Sequence, residues 1–230
     1  DMTHDRKDIG GTLQTFLHTF RSVRKKPALI IKTSSATFSV PDREDMLKRI
    51  QAIKSMTGIH PKDMPKIYLL HGDLSEAQMQ SLYMHKKVKA LINLSHGEGF
   101  GLPIFDAACH GVPVIAPGWS GHCDFLYMPR ENGKKKAMFA DVNYDIAPVQ
   151  DFAVWDGVVQ KDSMWCYPHE GHYKMRLRQV RKSYDKWLKK AKTLQQWVLE
   201  QFDSDKQHKL FADSICFTES SFEETLRMFS

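Results

Sequence analysis

The sequence has no long apolar run and no apolar segment near its first residue. No stretch of its 230 residues approaches the roughly 18 consecutive apolar residues that a membrane-spanning helix requires. The opening residues, DMTHDRKDIGG, lack the apolar core of a signal peptide. The sequence therefore predicts no transmembrane helix, and we expect a cytoplasmic location.

Cysteines and metal-binding patterns are also sparse. The four cysteines are far apart and form no CxxC pair: Cys109, Cys123, Cys166 and Cys216. This spacing indicates reduced thiols rather than a disulfide scaffold or a zinc site. The segment HEGH at 169–172 differs from HExxH and follows a proline, so we expect a solvated turn there and no metal site.

Basic residues outnumber acidic ones. The chain has 33 Lys and Arg against 27 Asp and Glu, a net charge of +6 and a pI near 9.0. Such a balance favours anionic partners, namely phosphate esters, nucleic acid or an anionic membrane surface. No segment resembles a nucleic-acid-binding module, so we do not expect nucleic acid as a partner.

Apolar residues alternate between helical spacing and short continuous runs. The predicted helices lie at about 9–24, at 42–57 after Pro41, from Ser75 as N-cap, and from about 102. The predicted strands lie at 28–33, 66–72, 88–95 and 112–117. Short apolar strands separated by helices are typical of parallel β-α-β units, so the sequence predicts an α/β fold with an open, doubly wound parallel sheet.

The pattern changes after about residue 145. A loop-rich stretch is followed by one long amphipathic helix near 171–202 and shorter helical pieces as far as Ser230. An apolar stripe runs along the long helix, with lysines and arginines elsewhere on its surface. Packing of the stripe on the sheet is the favoured interpretation; peripheral contact with an anionic membrane is the alternative.

One stretch, GEGFGLPIFDAACHGVPVIA at 97–116, follows a predicted strand and opens a predicted helix. In open parallel sheets, ligands bind at this edge, beyond the carboxyl ends of the strands. Gly97, Gly99 and Gly101 allow close approach of the backbone to a ligand, and Pro103 suits a first helical turn. Exposed N–H groups and the helix dipole make this a candidate phosphate site.

Two carboxylates complicate a simple phosphate site. Glu98 and Asp106 would repel an anion, but ionised carboxylates accept hydrogen bonds from sugar hydroxyls. A phosphate flanked by two polyols is a nucleotide sugar, so the pattern favours that ligand class. The alternative is a tight glycine turn with a solvated Glu98 and Asp106 on a helix surface.

At this point the sequence resembles a known family. The stretch 97–116 is similar to the E-x7-E signature of retaining GT-B glycosyltransferases of the glycogen-synthase, sucrose-synthase and mannosyltransferase type, roughly EGFGLPxxEAMACGxPVIA. The flanking segments HGDLSEAQMQSLYMHKKVKALINLS, GWSGHCDFL and WCYPHEGHYKMRLRQV resemble the corresponding parts of that family.

The resemblance implies a donor-binding domain over residues 1–230. Its fold would be a Rossmann-like doubly wound parallel sheet, one half of a GT-B fold, with a mainly helical part from about 171. We expect the acceptor domain to lie outside this chain. The implied reaction moves a sugar from a nucleoside diphosphate sugar to a hydroxyl of a carbohydrate, lipid-linked or protein acceptor, with retained configuration and no metal or other cofactor.

The resemblance also assigns roles to residues of the glycine-rich loop. Glu98 corresponds to the acid that contacts the transferred sugar. Gly99 belongs to the donor-binding loop, and the amides of Phe100, Gly101 and Leu102 correspond to those that face the sugar and the diphosphate.

Three further residues complete the implied site. Asp106 corresponds to the acid that holds the ribose diol, although the family has a longer glutamate there. The segment RKDIGGTLQTF resembles the family's xKGxxxLLxAF, which places Lys7 on the diphosphate. Arg6 is a candidate second cation; a solvated arginine is the alternative.

Other interpretations stay open beside this one. The chain is alternatively a non-catalytic Rossmann-like domain that binds a nucleotide or another anion, an idea to which Asp106 and the basic helix give weight. For His96, lining the pocket or bonding to a loop carbonyl is favoured over acting as a catalytic base. His71 and Gly72 are candidates for backbone contact with the nucleobase.

Overall fold

The computed structural model describes residues 6–34 and 37–215 as an α/β fold. In chain order, its helices are α1 (Ile9–Phe20), α2 (Val40–Met56), α3 (Glu76–Met84), α4 (Leu102–Cys109), α5 (Cys123–Leu126), α6 (Glu170–Lys182), α7 (Tyr184–Gln201) and α8 (Ser204–Ile215). Its strands are β1 (Leu29–Lys32), β2 (Ile67–Leu70), β3 (Leu91–Ile92), β4 (Val114–Pro117), β5 (Tyr127–Pro129), β6 (Lys135–Ala137), β7 (Ala140–Val142), β8 (Tyr144–Pro148) and β9 (Met164–Pro168).

The predicted strands form parallel pairs in two small sheets. β1 pairs with β2, with Leu29 opposite Ile67. β4 lies between β3 and β7, with Ile115 opposite Ile92 on one side and Ala140 on the other. All four predicted strands are present but shorter than expected, and the described residues form these small sheets where we expected one continuous sheet.

Helices cover the parallel strands because their apolar faces need burial. Leu13 and Leu17 of α1 pack with Ile31 of β1 and Ile50 of α2. Phe16 and other residues of α1 share a second cluster with β3, β4, β7 and α6. β4 is buried along its whole length, so it is the best-covered strand of the three-stranded sheet.

Two antiparallel pairs were missed by the sequence analysis. β5 pairs with β6, and β8 pairs with β9 in a region expected to be mainly loop. Proline ends both β8 and β9, at Pro148 and Pro168, and the exposed residues of β8 interrupt any continuous apolar run. The strand signal was therefore weak, although the pairing register extends over the whole of both strands.

The single long helix predicted near 171–202 was also wrong. Helix α6 ends at Lys182, the backbone of Ser183 leaves the helical region at φ −121° and ψ 45°, and α7 begins at Tyr184. Neither proline nor glycine marks the break, so the apolar repeat gave no sign of it. The apolar stripe is largely buried against the protein, through Leu177 and Val180 on α6 and Ala191, Leu194 and Val198 on α7.

The predicted N-cap of helix α3 is confirmed. Ser75 caps α3: its hydroxyl accepts a hydrogen bond from Gln78 N at 3.3 Å, and the Gln78 side chain accepts one from Ser75 N at 2.8 Å. This reciprocal arrangement is a capping box. In the described part of the chain, no helix is both long and apolar enough to cross a membrane.

Helix α4, which follows the glycine-rich loop, is supported by α7. Ile104, Ala107 and Ala108 of α4 belong to one core cluster with Leu194 and Val198 of α7. Since these side chains are almost completely buried, this contact holds α4 in place behind the glycine-rich loop.

We expect Leu194→Ala to lower the free energy of unfolding by about 3 kcal/mol, because it leaves a cavity between α7 and α4. Leu194 is 2% exposed, whereas Leu199 on the same helix is 54% exposed. Leu199→Ala is therefore the matched control and should cost less than about 0.5 kcal/mol. Urea denaturation followed by circular dichroism measures both, and equal losses would contradict the packing described.

Candidate functional site

The candidate site is built at the loop between β3 and α4. Gly101 lies in the left-handed region at φ 86° and is the N-cap of α4, which begins at Leu102 as predicted. A Cβ at Gly101 would stand 3.3 Å from Ile104 Cδ1 and 3.4 Å from His122 Cβ. The positive φ therefore favours glycine at this position, and a Cβ would in addition be tightly packed.

Glu98 is the centre of a charged cluster. Its side chain is only 5% exposed, and the Lys7 ammonium donates a hydrogen bond to Oε1. Asn93 Nδ2 donates to the same oxygen at 3.0 Å, and Arg6 Nη1 lies 3.4 Å from Oε2. The structure therefore brings together three residues that were predicted as site residues from distant parts of the sequence, namely Arg6, Lys7 and Glu98.

The cluster keeps Glu98 ionised. Burial by itself would raise the pKa of Glu98, but the hydrogen bonds from Lys7 and Asn93 and the charge of Lys7 outweigh burial and lower this pKa to about 2. Glu98 is consequently a hydrogen-bond acceptor at neutral pH and has no proton to donate.

The backbone of Glu98 is held by the segment after β4. Ser120 Oγ accepts a hydrogen bond from Glu98 N at 3.0 Å and donates one to the Glu98 carbonyl oxygen. Gly121 N donates to the same carbonyl oxygen at 3.0 Å. A Cβ on Gly121 would overlap the carbonyl oxygen of Gly99, so the two loops approach each other closely.

Backbone strain borders this cluster. Two non-glycine residues of the described ranges have positive φ, Asp8 at 49° and Ser120 at 77°. Asp8 follows Lys7 and caps α1, and Ser120 holds the backbone of Glu98. Such conformations are disfavoured for residues with a Cβ and persist where surrounding contacts impose them.

Asp106 has different neighbours from Glu98. It lies half-buried on α4, where burial and the charge of Glu76 raise its pKa while His110 opposes the shift. Its carbonyl oxygen accepts hydrogen bonds from His110 N at 3.0 Å and from His110 Nδ1 at 2.7 Å. The two predicted acids thus differ in their electrostatic surroundings. Glu98 is ion-paired and its pKa is lowered, whereas the pKa of Asp106 is raised and only His110 acts to lower it.

Of the remaining loop residues, Phe100 packs on the protein, whereas Leu102 and Gly99 are open to solvent. The Phe100 ring lies 5.1 Å from that of Phe105 and 5.0 Å from that of Phe125, within an aromatic cluster. Leu102 is 66% exposed, and a Cβ on Gly99 would meet no atom within 4 Å. The loop therefore has one side packed on the protein and one side open to a ligand.

His96 connects three segments of the chain. Its ring Nδ1 donates to the Cys166 carbonyl oxygen, and the ring stacks on Trp165 with the centroids 4.8 Å apart. His96 N donates to the Arg6 carbonyl oxygen at 2.8 Å, and Cys166 N donates to the His96 carbonyl oxygen at 3.0 Å. The predicted carbonyl contact is present, but its acceptor belongs to strand β9 rather than to a loop.

His122 lies behind the loop and is buried. Its Nε2 donates to the Pro117 carbonyl oxygen at 2.7 Å. Burial lowers the pKa of His122 against the opposing effects of Pro117, Glu98 and Asp141. The neutral ring presents its Nδ1 as an acceptor, which has no hydrogen-bond partner among the residues that the structure describes.

His71 and Gly72, which were predicted to contact the nucleobase, interact with other residues of the protein. His71 Nε2 lies 3.1 Å from Asp42 Oδ2, and Lys32 Nζ donates to the Gly72 carbonyl oxygen at 2.9 Å. Gly72 takes a φ of 120°, which favours glycine. Backbone contact of His71 and Gly72 with a base stays a prediction.

In the part of the chain that the structure describes, thiols and histidines outside the loop form no metal cluster. Cys109, Cys123 and Cys166 are free, and Cys216 lies outside the described residues. His169 Nε2 lies 2.9 Å from Asp145 Oδ2, and His172 Nδ1 accepts from Asn143 N at 2.6 Å. Within the ranges 6–34 and 37–215, no group of three or more His, Cys, Asp or Glu could hold a metal ion.

Sequence reasoning missed the residues that position Glu98. Asn93 was treated only as part of a strand, and Ser120 and Gly121 only as part of a flanking segment. Glycine at 118 and 121 around Ser120 signals a tight turn, but the contact with the Glu98 backbone spans 22 residues of sequence. No local pattern encodes such a contact.

No protein-family model matches the chain, and no curated protein is detectably similar to it.

We expect Gly121→Ala to destabilise the fold by about 2 kcal/mol, because the added methyl group meets the Gly99 backbone, which cannot move without disturbing Glu98. Gly171→Ala is the matched control, since a Cβ there meets nothing within 4 Å and lies in helix α6. Thermal unfolding should show a lower Tm for Gly121→Ala and an equal or higher Tm for Gly171→Ala. A Gly121→Ala protein as stable as the wild type would contradict the close approach of the loops.

The charged cluster predicts a pH dependence of stability. Because the pKa of Glu98 is lowered from 4.5 to about 2 in the fold, its contribution is fully present above pH 4.5 and is lost as the pH falls towards 2. The shift corresponds to about 3 kcal/mol at neutral pH. Urea denaturation of the wild type and Glu98→Gln at pH 7, 4 and 2.5 should give a stability difference that shrinks at each step. A difference that does not change with pH would contradict the ion pair.

Proposed function

We propose that this chain is the donor-binding domain of a retaining glycosyltransferase, which transfers a sugar from a nucleoside diphosphate sugar to an acceptor hydroxyl. The observation that carries the proposal is the convergence of the buried Glu98 carboxylate with Lys7 and Arg6 at the start of α4. The Glu98 carboxylate can accept hydrogen bonds from hydroxyl groups, and Lys7 and Arg6 can bind anions. A ligand that suits both carries a sugar next to a phosphate.

In this proposal the two parallel sheets are parts of one Rossmann-like, doubly wound sheet. Support comes from the parallel pairing within each sheet and from one core cluster, in which Leu29 and Ile67 of the first sheet pack against buried residues that include Ile115 and Ala140 of the second. The glycine-rich loop then lies at the carboxyl edge of the sheet, where ligands of such folds bind.

The diphosphate would be bound by positive charge and by main-chain donors. Lys7 and Arg6 supply two cations, and the N-terminus of α4 supplies the Leu102 N–H and the positive end of a helix dipole. A lysine about 4 Å from a phosphate has a Coulomb energy of order 4 kcal/mol at an intermediate dielectric, before desolvation. Stabilising the leaving diphosphate in this way is a major source of catalysis in group transfer.

The two acids would take different parts of the donor. Glu98, which is ionised and fixed, would accept hydroxyl hydrogens from the transferred sugar. Asp106, partly buried on α4, would accept those of the ribose, with the helix closer to the ligand than a glutamate would need. The proposal includes no metal or other cofactor, because Lys7, Arg6 and the helix end supply the positive charge.

A thermal-shift panel tests donor binding. UDP, GDP, ADP and their hexose derivatives are added to the wild type, and at least one pair should raise the Tm, since a ligand that binds only the folded state stabilises it. Lys7→Ala should reduce that shift by at least half, and Lys48→Ala, which alters an exposed lysine on α2, should leave it unchanged. No shift with any ligand would overturn the proposal.

A transfer assay on the full-length protein separates catalysis from binding. Glu98→Ala and Lys7→Ala should each reduce transfer by at least about 100-fold, the scale expected when an electrostatic contact to the transition state is removed. Binding of the nucleotide without transfer by the wild type would favour the alternative, a non-catalytic nucleotide-binding domain.

A further inference from the structure

Glu98 and a diphosphate would need the same cation. In the structure, Lys7 donates to Glu98 Oε1, and Arg6 contacts the other carboxylate oxygen at 3.4 Å. A diphosphate that binds Lys7 therefore takes the place of the Glu98 carboxylate as the partner of the lysine. The diphosphate then lies next to the negative charge of Glu98.

The carboxylate cannot easily move aside. Asn93 Nδ2 donates to Glu98 Oε1 at 3.0 Å, while Asn93 Oδ1 accepts from Ser95 N at 2.9 Å, so the Asn93 amide is fixed at both ends. The backbone of Glu98 is held as well, through Ser120 and Gly121. With side chain and backbone both restrained, Glu98 stays at the site when Lys7 changes partner.

We propose that Glu98 competes with the diphosphate for Lys7 and thereby makes the site prefer the sugar-bearing donor over the nucleoside diphosphate product. The proposal rests on the donor-binding function proposed above. It assigns Glu98 a role in specificity in addition to contact with the sugar.

The preference follows from what each ligand offers Glu98. A donor brings sugar hydroxyls, which give the carboxylate new hydrogen-bond donors when Lys7 turns to the diphosphate. The product has lost the sugar, so it leaves a buried, ionised carboxylate with fewer partners beside its own charge, which is costly. The same residue thus favours donor binding and product release.

The first test measures the affinity for inorganic pyrophosphate by isothermal titration. Glu98→Gln and Glu98→Ala should each bind pyrophosphate about tenfold more tightly than the wild type, since both remove the competing charge. Glu170→Gln is the matched control: Glu170 Oε1 lies 2.5 Å from Lys174 Nζ on α6, so the substitution removes a lysine-paired glutamate outside the site. It should leave the affinity unchanged.

Circular dichroism confirms that each variant is folded. Because two different substitutions are made at Glu98, the test still stands if one of the two variants does not fold. Unchanged or weaker pyrophosphate binding by the folded Glu98 variants would overturn the competition, and so would a failure of all the proteins to bind it. A gain in Glu170→Gln equal to that at Glu98 would also overturn it, because the effect would then reflect net charge alone.

The second test compares a donor with its product, using the pair that stabilises the wild type most. For UDP-glucose and UDP, or for whichever donor and product stabilise the wild type most, the affinity for the donor divided by the affinity for the product should be about tenfold or more lower in Glu98→Gln than in the wild type. An unchanged ratio would contradict the specificity role. If no nucleotide binds the wild type, the donor-binding function fails, whereas the pyrophosphate comparison still decides whether Glu98 competes for Lys7.

Discussion

The ion pair between Glu98 and Lys7 is the interaction on which this part of the molecule depends. A carboxylate that is 5% exposed needs partners, because an unpaired buried charge is strongly destabilising. Its partners come from the residues before α1 and from Asn93, directly after β3, and its backbone is held by the turn after β4. Satisfying one carboxylate therefore fixes the mutual positions of three segments that would otherwise be independent loops.

The parts of the site that could be predicted are those encoded locally. The glycine at 101, the proline at 103 and the change from apolar run to helical spacing specified where α4 begins. Ser75 followed by Gln78 specified the start of α3 in the same way. In each case the residues that make the interaction lie within one helical turn, so the sequence pattern contains the whole of it.

The parts that could not be predicted depend on contacts between distant residues. Ser120 supports Glu98 across 22 residues, and β8 pairs with β9 although prolines and exposed side chains weaken both strand signals. The break at Ser183 has no proline or glycine to mark it. The antiparallel pairs and the limited extent of the parallel sheets also arise from tertiary packing, which apolar periodicity does not describe.

His96 has a consequence for the order in which the molecule folds. Its main chain bonds to Arg6, 90 residues earlier, and to Cys166, 70 residues later, so this corner closes only after most of the chain has been positioned. Contacts of such long sequence separation form late, because loop closure costs entropy before they contribute. Opening of this contact would separate Arg6 and His96 from strand β9, so a ligand bound beside it would slow unfolding and protect against proteolysis far from its own contacts.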